Sequence, residues 1–333
     1  MKRREFLISS AVLAFGTQRA PAQQSGTKKR VALVHFSTKV ADMRIGGDTG
    51  FTIYLQELQR LGYVEGQNLI IDRYSAEGQR ERYGELAGEI VSTHPDLIAT
   101  SGTPLTLELK AATSTIPIVT VTGDPIRFGL ISSLAHPGGN ITGVSGDAGI
   151  ELWGKRLELL AEAVPTLRNV LFVGPQAALE AVGGKAMREA AQKLGIALVN
   201  APVATPINEQ AYRRTFNAIR RDQADGLVFS DDVGNYAHRI LLVELVKQIG
   251  LPAIYCFREQ AEAGGLISYS TDLKSTVRTA ARQTVEILRG GKPGEIPYVQ
   301  ATRLELVINL KTARALGLEI PATLLTRADE VIE

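Results

Sequence analysis

The chain has 333 residues, of which 44% are hydrophobic and 22% are charged, and it carries a formal net charge of +2. This composition is ordinary for a globular protein with sizeable cores, and two domains are the default expectation at this length. The near-neutral balance of charge argues against a nucleic acid partner. The single cysteine, Cys256, excludes an internal disulfide, and its apolar surroundings predict a buried side chain.

Residues 1–22 have the organisation of an export signal. Arg3 and Arg4 form a basic start, a short apolar run follows from Phe6 to Phe15, and Ala20-Pro21-Ala22 is typical of a cleavage site. The apolar run is too short to span a bilayer. The paired arginines favour a twin-arginine signal, and a general secretory signal is the open alternative. Both routes predict a periplasmic protein whose signal peptide is cleaved near Ala22.

From Arg30 onward, short β-branched runs alternate with helical patterns. The run RVALVHF is followed by apolar residues between Phe51 and Leu61 at the spacing of one helical face. NLIIDRY, DLIATS and PIVTVT come next, with helical segments between them. This βαβ repetition predicts an α/β fold with parallel-rich sheets and helices on both faces.

A second α/β unit begins after the turn sequence PGGN. DLIATS and its following strand IPIVTV are matched by DGLVFS and LPAIYC, roughly 130 residues later, an interval of about one lobe. We therefore predict two doubly wound lobes joined by a multi-crossing hinge. The expected segments are 28–144 and 271–298 for the N-terminal lobe, 145–270 and 299–333 for the C-terminal lobe, and crossings near 140–146, 269–272 and 297–303.

Small or polar side chains at strand ends mark the candidate ligand-binding residues. Open α/β sheets bind ligands beyond the carboxyl ends of their strands, where loop amides and helix N-termini point outward. The candidates are Ser37, Thr38, Ser101, Thr103, Asp124, Asp231, Asp232, Tyr255 and Arg258.

The segment SGTP, which starts at Ser101, is the most informative of these strand ends. Ser101 and Thr103 offer hydroxyl groups, Gly102 permits close backbone approach, and Pro104 suits the first turn of a helix. An anion such as a carboxylate fits this arrangement. The alternative is that Thr103 caps the helix without any ligand.

The remaining candidates each have two interpretations. Asp231 and Asp232 either neutralise an ammonium group of the ligand or cap the next helix. Asp124 either contacts the ligand or only forms a turn. Arg258 either pairs with a carboxylate or bridges the lobes, and Tyr255 either stacks on a ligand ring or packs in a core.

Signatures of enzyme chemistry are weak. The sequence GVSG lacks the full nucleophile elbow, and no GxGxxG follows the first strand. The histidines have no metal-ligand spacing; they are His35, His94, His136 and His238. We therefore predict no catalytic residue, metal or cofactor, and the open alternative is an exported hydrolase that uses His35 or Asp124 in the same cleft.

Several long blocks resemble the substrate-binding family of ABC transporters that includes the tryptophan-binding component TrpX. They include ELQRLGYVEGQNLIIDRYSAEG, SGTPLTLELKAATSTIPIV, GDPIRFGLISSLAHPGGNITG, WGKRLELLAEAVP, LPAIYCFREQAEAGGLISY and LELVINLKTARALGLEIPATLLTRADEVIE, and together they cover essentially the whole chain after the signal. The loop HFSTKVADMRIGGDTG and the residues after SDD depart from the family pattern.

The resemblance implies a periplasmic-binding-protein-like type I fold and a non-enzymatic role. A protein of this kind captures a small solute outside the inner membrane, closes on it, and delivers it to a permease that an ATPase powers. Some members bind aromatic amino acids, which suits a carboxylate seat at Ser101 and Thr103 with Asp231 or Asp232 for the ammonium group. A monomer is expected.

Overall fold

The computed structural model describes residues 28–147 and 149–333, so the predicted export signal lies outside the described residues. The strands, in chain order, are β1 (Lys29–His35), β2 (Leu69–Ser75), β3 (Leu97–Ser101), β4 (Ile118–Thr122), β5 (Ile141–Ser145), β6 (Asn169–Pro175), β7 (Ala197–Val203), β8 (Gly226–Phe229), β9 (Ala253–Tyr255), β10 (Ile267–Thr271), β11 (Val299–Gln300), β12 (Leu304–Asn309) and β13 (Glu330–Ile332).

The helices alternate with these strands, as the sequence predicts. They are α1 (Thr49–Arg60), α2 (Tyr83–Ser92), α3 (Thr103–Ala112), α4 (Glu151–Ala163), α5 (Gln176–Glu180), α6 (Val182–Leu194), α7 (Glu209–Ala218), α8 (Val233–Ala237), α9 (Arg239–Ile249), α10 (Arg258–Glu262), α11 (Leu273–Leu288), α12 (Leu310–Ala315) and α13 (Ala322–Arg327). In the part of the chain that the structure describes, none of them is long and apolar enough to cross a membrane.

Helix ends follow local sequence. The Asp48 side chain accepts a hydrogen bond from the backbone N–H of Gly50 and so caps α1, and Asp272 caps α11 in the same way. Gly195 and Gly250 end α6 and α9 in the left-handed conformation, at φ 67° and 72°, which glycine adopts without a steric penalty.

The first sheet has the strand order β11-β5-β4-β3-β1-β2 and its neighbouring strands are parallel. Side chains alternate between its faces, so Val31 and Leu33 pack with α1 and α11 while Ala32 and Val34 pack with α2 and α3. Both faces are therefore buried. We call this sheet and its helices the first lobe.

The second sheet has the order β13-β12-β10-β9-β8-β6-β7, in which only β12 runs antiparallel to its neighbour β10 among the described strands. Val170 and Phe172 face a core shared with α4 and α6, while Leu171 and Val173 face α7 and α9. This is the second lobe. The predicted α/β architecture of two doubly wound, parallel-rich sheets is confirmed.

Within residues 28–147 and 149–333, the chain passes between the sheets after β5, after β10 and after β11. Asp272 lies at the second crossing, and its backbone N–H donates to the carbonyl of Arg303, 2.9 Å away, at the third crossing. Strand β11 pairs with β5 of the first sheet, whereas the predicted boundary at residue 299 assigns it to the other lobe. The exact domain boundaries stay a prediction.

Glycine is required at position 143, in the middle of the buried strand β5. A Cβ added there would lie 1.9 Å from the backbone carbonyl oxygen of Thr120 in the neighbouring strand β4. We expect Gly143→Ala to lower the free energy of unfolding by at least about 2 kcal/mol, since the two strands must separate. Urea unfolding followed by circular dichroism measures this change.

Gly88→Ala is the matched control, because Gly88 is exposed in α2 and a Cβ there has no neighbour within 4 Å. This variant should raise stability by about 0.5–1 kcal/mol through helix propensity. Equal effects of the two substitutions would contradict the close packing of β4 and β5.

Candidate functional site

The two lobes touch through α8 of the second lobe. Val233, Tyr236 and Ala237 pack against the apolar core of the first lobe that contains Phe36. The Tyr236 ring centroid lies 5.6 Å from that of Phe36 and 6.0 Å from that of His35. The loop after β1 and helix α8, which follows β8, therefore meet where the two lobes touch, and we call the region between the lobes beside this contact the cleft.

Charged groups surround the same contact. The guanidinium of Arg239, in the second lobe, lies 4.7 Å from the ring centroid of Tyr236 and 3.8 Å from a carboxylate oxygen of Asp48 in the first lobe. The Tyr236 hydroxyl donates to Glu259, at 3.4 Å. Burial raises the pKa of Glu259 to about 7, and the negative charge of Asp48 adds to the shift. Tyr236, Arg239 and Asp48 together form what we call the lobe contact. It combines an aromatic cluster with an ion pair.

His35 organises the loop that follows β1. Its Nδ1 accepts hydrogen bonds from the backbone N–H groups of Ser37, at 3.1 Å, and Thr38, at 2.8 Å. Burial, with a smaller contribution from the charge of Arg239, lowers the pKa of His35 to about 3. The imidazole is therefore neutral at physiological pH, and its hydrogen bonds assign the proton to Nε2. His35 is a structural residue of the cleft wall.

Four hydroxyl oxygens at the ends of β1 and β3 are buried and lack a hydrogen-bond partner among the described residues. They belong to Ser37, Thr38, Thr100 and Ser101, which we call the hydroxyl cluster. Strands β1 and β3 are neighbours in the sheet, which brings these loops together. A buried hydroxyl without a partner costs free energy, so the cluster is poised to hydrogen-bond a ligand.

Gly102 fixes the position of the loop after β3. Its φ of 86° is a conformation that favours glycine, and a Cβ there would lie 2.8 Å from the Phe36 ring. The residue that caps α3 is Gly102, so the alternative interpretation of Thr103 as the cap is wrong. The Thr103 hydroxyl instead accepts from the backbone N–H of Gly123, at 3.2 Å, and connects the ends of β3 and β4.

Asp124 and Asp232 make local hydrogen bonds. One Asp124 oxygen accepts from the backbone N–H groups of Ile126 and Arg127, both at 3.0 Å, which is the predicted turn. Asp232 caps α8 by accepting from the N–H of Gly234 at 2.8 Å. The helix-cap interpretation therefore describes Asp232.

Asp231 is exposed at the carboxyl end of β8, in contrast to Asp232. Although water reaches the side chain, the surrounding protein raises the pKa of its carboxyl group to about 6 through burial, and the positive charge of Arg156 opposes this shift. Asp147, at the first crossing, adds to the increase. Of the two adjacent aspartates, Asp231 is the one available to a ligand.

The expectation that Tyr255 and Arg258 contact the ligand is corrected, because both side chains are occupied within the second lobe. Tyr255 is 1% exposed and its ring stacks on Phe229 at 5.0 Å in the core of the second lobe. Arg258 is also engaged within the second lobe, because it forms salt bridges with three carboxylates there. Among the described residues, it has no salt-bridge partner in the first lobe. Its partners are Glu262, Glu305 and Glu330.

Thr100 and Arg156 are candidate site residues that the sequence did not single out, and each has a buried polar atom without a hydrogen-bond partner among the described residues. Thr100 lies inside the predicted strand DLIATS, and its proximity to Ser101 was the available signal. Arg156 belongs to a helical pattern in which it resembles a surface charge, yet it is 3% exposed. The residue pattern of an amphipathic helix does not reveal that one of its charged side chains is buried.

Acid stability tests the neutral state of His35. The unfolded pKa of about 6.5 exceeds the folded value of about 3, so the unfolded state binds one more proton between them and stability falls as the pH drops through this range. We expect His35→Asn, which keeps an acceptor but does not titrate, to have a shallower loss of stability from pH 6.5 to 4. Urea unfolding across this pH range measures it, and parallel curves for both proteins would contradict the assignment.

Comparison with known proteins agrees with this architecture. The family described as "ABC transporter substrate binding protein" matches residues 49–332. A "Tyrosine-binding protein" of Clostridioides difficile (strain R20291) is 25% identical over 269 residues, which is 80% of this chain and 76% of the relative.

Two solved structures have a similar fold. The crystal structure of a conserved domain protein from Vibrio cholerae has a TM-score of 0.79 at 26% identity and covers 92% of this chain and 100% of its own. An ABC domain in complex with L-Trp from Streptococcus pneumoniae has a TM-score of 0.77 at 22% identity, with coverage of 92% and 100%. The family consists of solute-binding proteins, which confirms the expectation that the protein is not an enzyme. The chain belongs to the ABC transporter substrate-binding protein family.

Proposed function

We propose that this protein is the extracytoplasmic, periplasmic solute-binding component of an ABC importer. It captures a small amino-acid-like carboxylate in the cleft between its lobes and delivers it to a permease in the inner membrane. The predicted export signal of residues 1–22 supports the location, and the family match supports the role.

The hydroxyl cluster is the observation that carries the proposed ligand site. Its oxygens are removed from water and lack protein partners among the described residues, a state that costs about 1–3 kcal/mol for each group. A ligand with several hydrogen-bonding groups would recover this free energy. Asp231, at the carboxyl end of β8 in the second lobe, supplies a negative charge for an ammonium group.

Aromatic amino acids are the ligands that we favour. The tyrosine-binding relative and the neighbour with bound L-Trp support this class. His35, Phe36 and Tyr236 form an aromatic cluster beside the cleft, and Tyr236, the partly exposed member, is the ring on which we expect a ligand ring to pack. Ser37, Thr38 and Ser101 remain the proposed hydrogen-bonding residues, with Thr100 added.

Hinge closure is the proposed mechanism of capture. A ligand that contacts the hydroxyl cluster of one lobe and Asp231 of the other stabilises only the arrangement in which the lobes are close. The crossings at Asp272 and Arg303 lie beside each other and would share the bend. A permease that recognises both lobes together would then distinguish loaded from empty protein.

A thermal-shift screen with L-tyrosine and L-tryptophan tests the proposal directly. A ligand at 100 times its Kd stabilises the folded protein by about 2.7 kcal/mol. We expect Ser101→Ala to weaken binding about fivefold to tenfold, because a hydrogen bond worth about 1–1.5 kcal/mol is lost. Asp231→Asn should weaken it more than tenfold, since the lost partner is charged.

Ser92→Ala is the control, because Ser92 is exposed in α2 and donates only to a carbonyl of its own helix. Its affinity should equal that of the unmodified protein. Small-angle scattering with the best ligand should show a ligand-bound state more compact than the free state, and an unchanged radius of gyration would contradict hinge closure. A ligand that binds equally well to all variants would place the site elsewhere.

A further inference from the structure

Arg156 is a buried cation in the second lobe that the proposed function does not yet use. It lies in α4 and is 3% exposed. Its Nε donates to the backbone carbonyl of Tyr269 at 2.8 Å, and its guanidinium lies 5.7 Å from the ring centroid of Trp153. Packing and one hydrogen bond therefore hold the side chain in a defined position.

This guanidinium has no charge partner within the described residues. Arg156 forms no salt bridge there, and its buried Nη1 lacks any hydrogen-bond acceptor. Arg258 shows the contrast, because it is 6% exposed and has three carboxylate partners in the same lobe. A buried and unpaired charge costs several kcal/mol, so a protein retains one where a partner arrives from outside.

The position of Arg156 places this unused charge at the cleft. Tyr269, which accepts from Nε, lies in β10 two residues before the strand ends at the second crossing. Asp231 lies at the carboxyl end of β8 in the same sheet, and the Arg156 charge acts on its carboxyl group. A cation and an anion thus share one region of the second lobe without forming a salt bridge.

Two other features beside the cleft do not supply a free, buried positive charge. The hydroxyl cluster is neutral, so it offers hydrogen bonds without compensating a carboxylate. Arg239 is engaged with Asp48 and with the ring of Tyr236. Arg156 is the buried arginine whose guanidinium has a free Nη1.

We propose that Arg156 binds the carboxylate of the ligand through Nη1, while Asp231 binds its ammonium group. The second lobe then selects α-amino acids by both charges of the head group, which are attached to the same carbon atom. The first lobe contacts the rest of the ligand. This inference rests on the proposed function and names the recognition of its substrate class.

Calorimetric binding of four probes to the full exported chain tests the inference. L-tyrosine carries both charges, tyramine lacks the carboxylate, 3-(4-hydroxyphenyl)propanoate lacks the ammonium group, and L-tryptophan changes only the ring. Arg156→Met keeps an unbranched, flexible side chain but removes the guanidinium, its charge and its contact with the Trp153 ring. We expect it to weaken both amino acids and the propanoate at least thirtyfold and to change tyramine binding less than threefold.

Two further variants make the result specific. Arg156→Lys keeps the charge but loses the forked donor, so the loss for L-tyrosine should fall to about threefold to tenfold; it also serves as the test if the Met variant does not fold. Arg327→Met is the control, because Arg327 pairs with Glu162 at the surface, at 2.8 Å. Its affinities should match the unmodified protein for every probe.

The outcomes separate this inference from the proposed function. If L-tyrosine binds the unmodified protein and both Arg156 variants with equal affinity, the inference is overturned and the proposed function stands. If only the propanoate binds, recognition of both charges by Arg156 and Asp231 is overturned together with the amino acid proposal, even where the Arg156 variants lose the propanoate. If no carboxylate in the panel binds the unmodified protein, both are overturned.

Discussion

Burial of both faces of each β-sheet is the constraint on which the rest of the structure depends. In the first sheet, Val31 and Leu33 are covered by one pair of helices and Ala32 and Val34 by the other. A parallel sheet buried in this way has no free face for a ligand, so its loops at the carboxyl ends become the surface that is open to specialisation. Two such sheets that meet at these ends bring their loops together, and in the proposed mechanism the hinge crossings determine how far the lobes separate.

Within that cleft, hydrogen-bond partners separate residues that maintain the fold from residues that are available for binding. Thr103, Asp124 and Asp232 lie at strand ends, yet local backbone groups already use their oxygens. The hydroxyl cluster in the first lobe and Nη1 of Arg156 in the second are buried without such partners among the described residues. Because an unsatisfied buried group destabilises the folded state, these residues are explained by a ligand more easily than by stability.

The sequence was sufficient for the fold and for part of the candidate site. Alternating strands and helices are local patterns, and Ser101 was marked by its place at a strand end. Tyr255 and Arg258 occupy similar places, but their partners are distant in sequence: Arg258 pairs with Glu305 and Glu330, which come from strands near the C-terminus. Position at a strand end says where a residue lies, whereas tertiary contacts decide whether its side chain remains free.

The contact between the lobes is weak enough to be compatible with the proposed closure on a small ligand. The Arg239–Asp48 pair is partly exposed, with 23% and 13% of the two side chains accessible, so it contributes on the order of 1 kcal/mol or less. The rings of Tyr236 and Phe36 add a comparable amount. Such contacts align the lobes without fixing them closed, because the cost of hydroxyls and an arginine without partners opposes them. In the proposed mechanism, a ligand that supplies those partners removes this cost, and its chemistry therefore sets the balance between open and closed states.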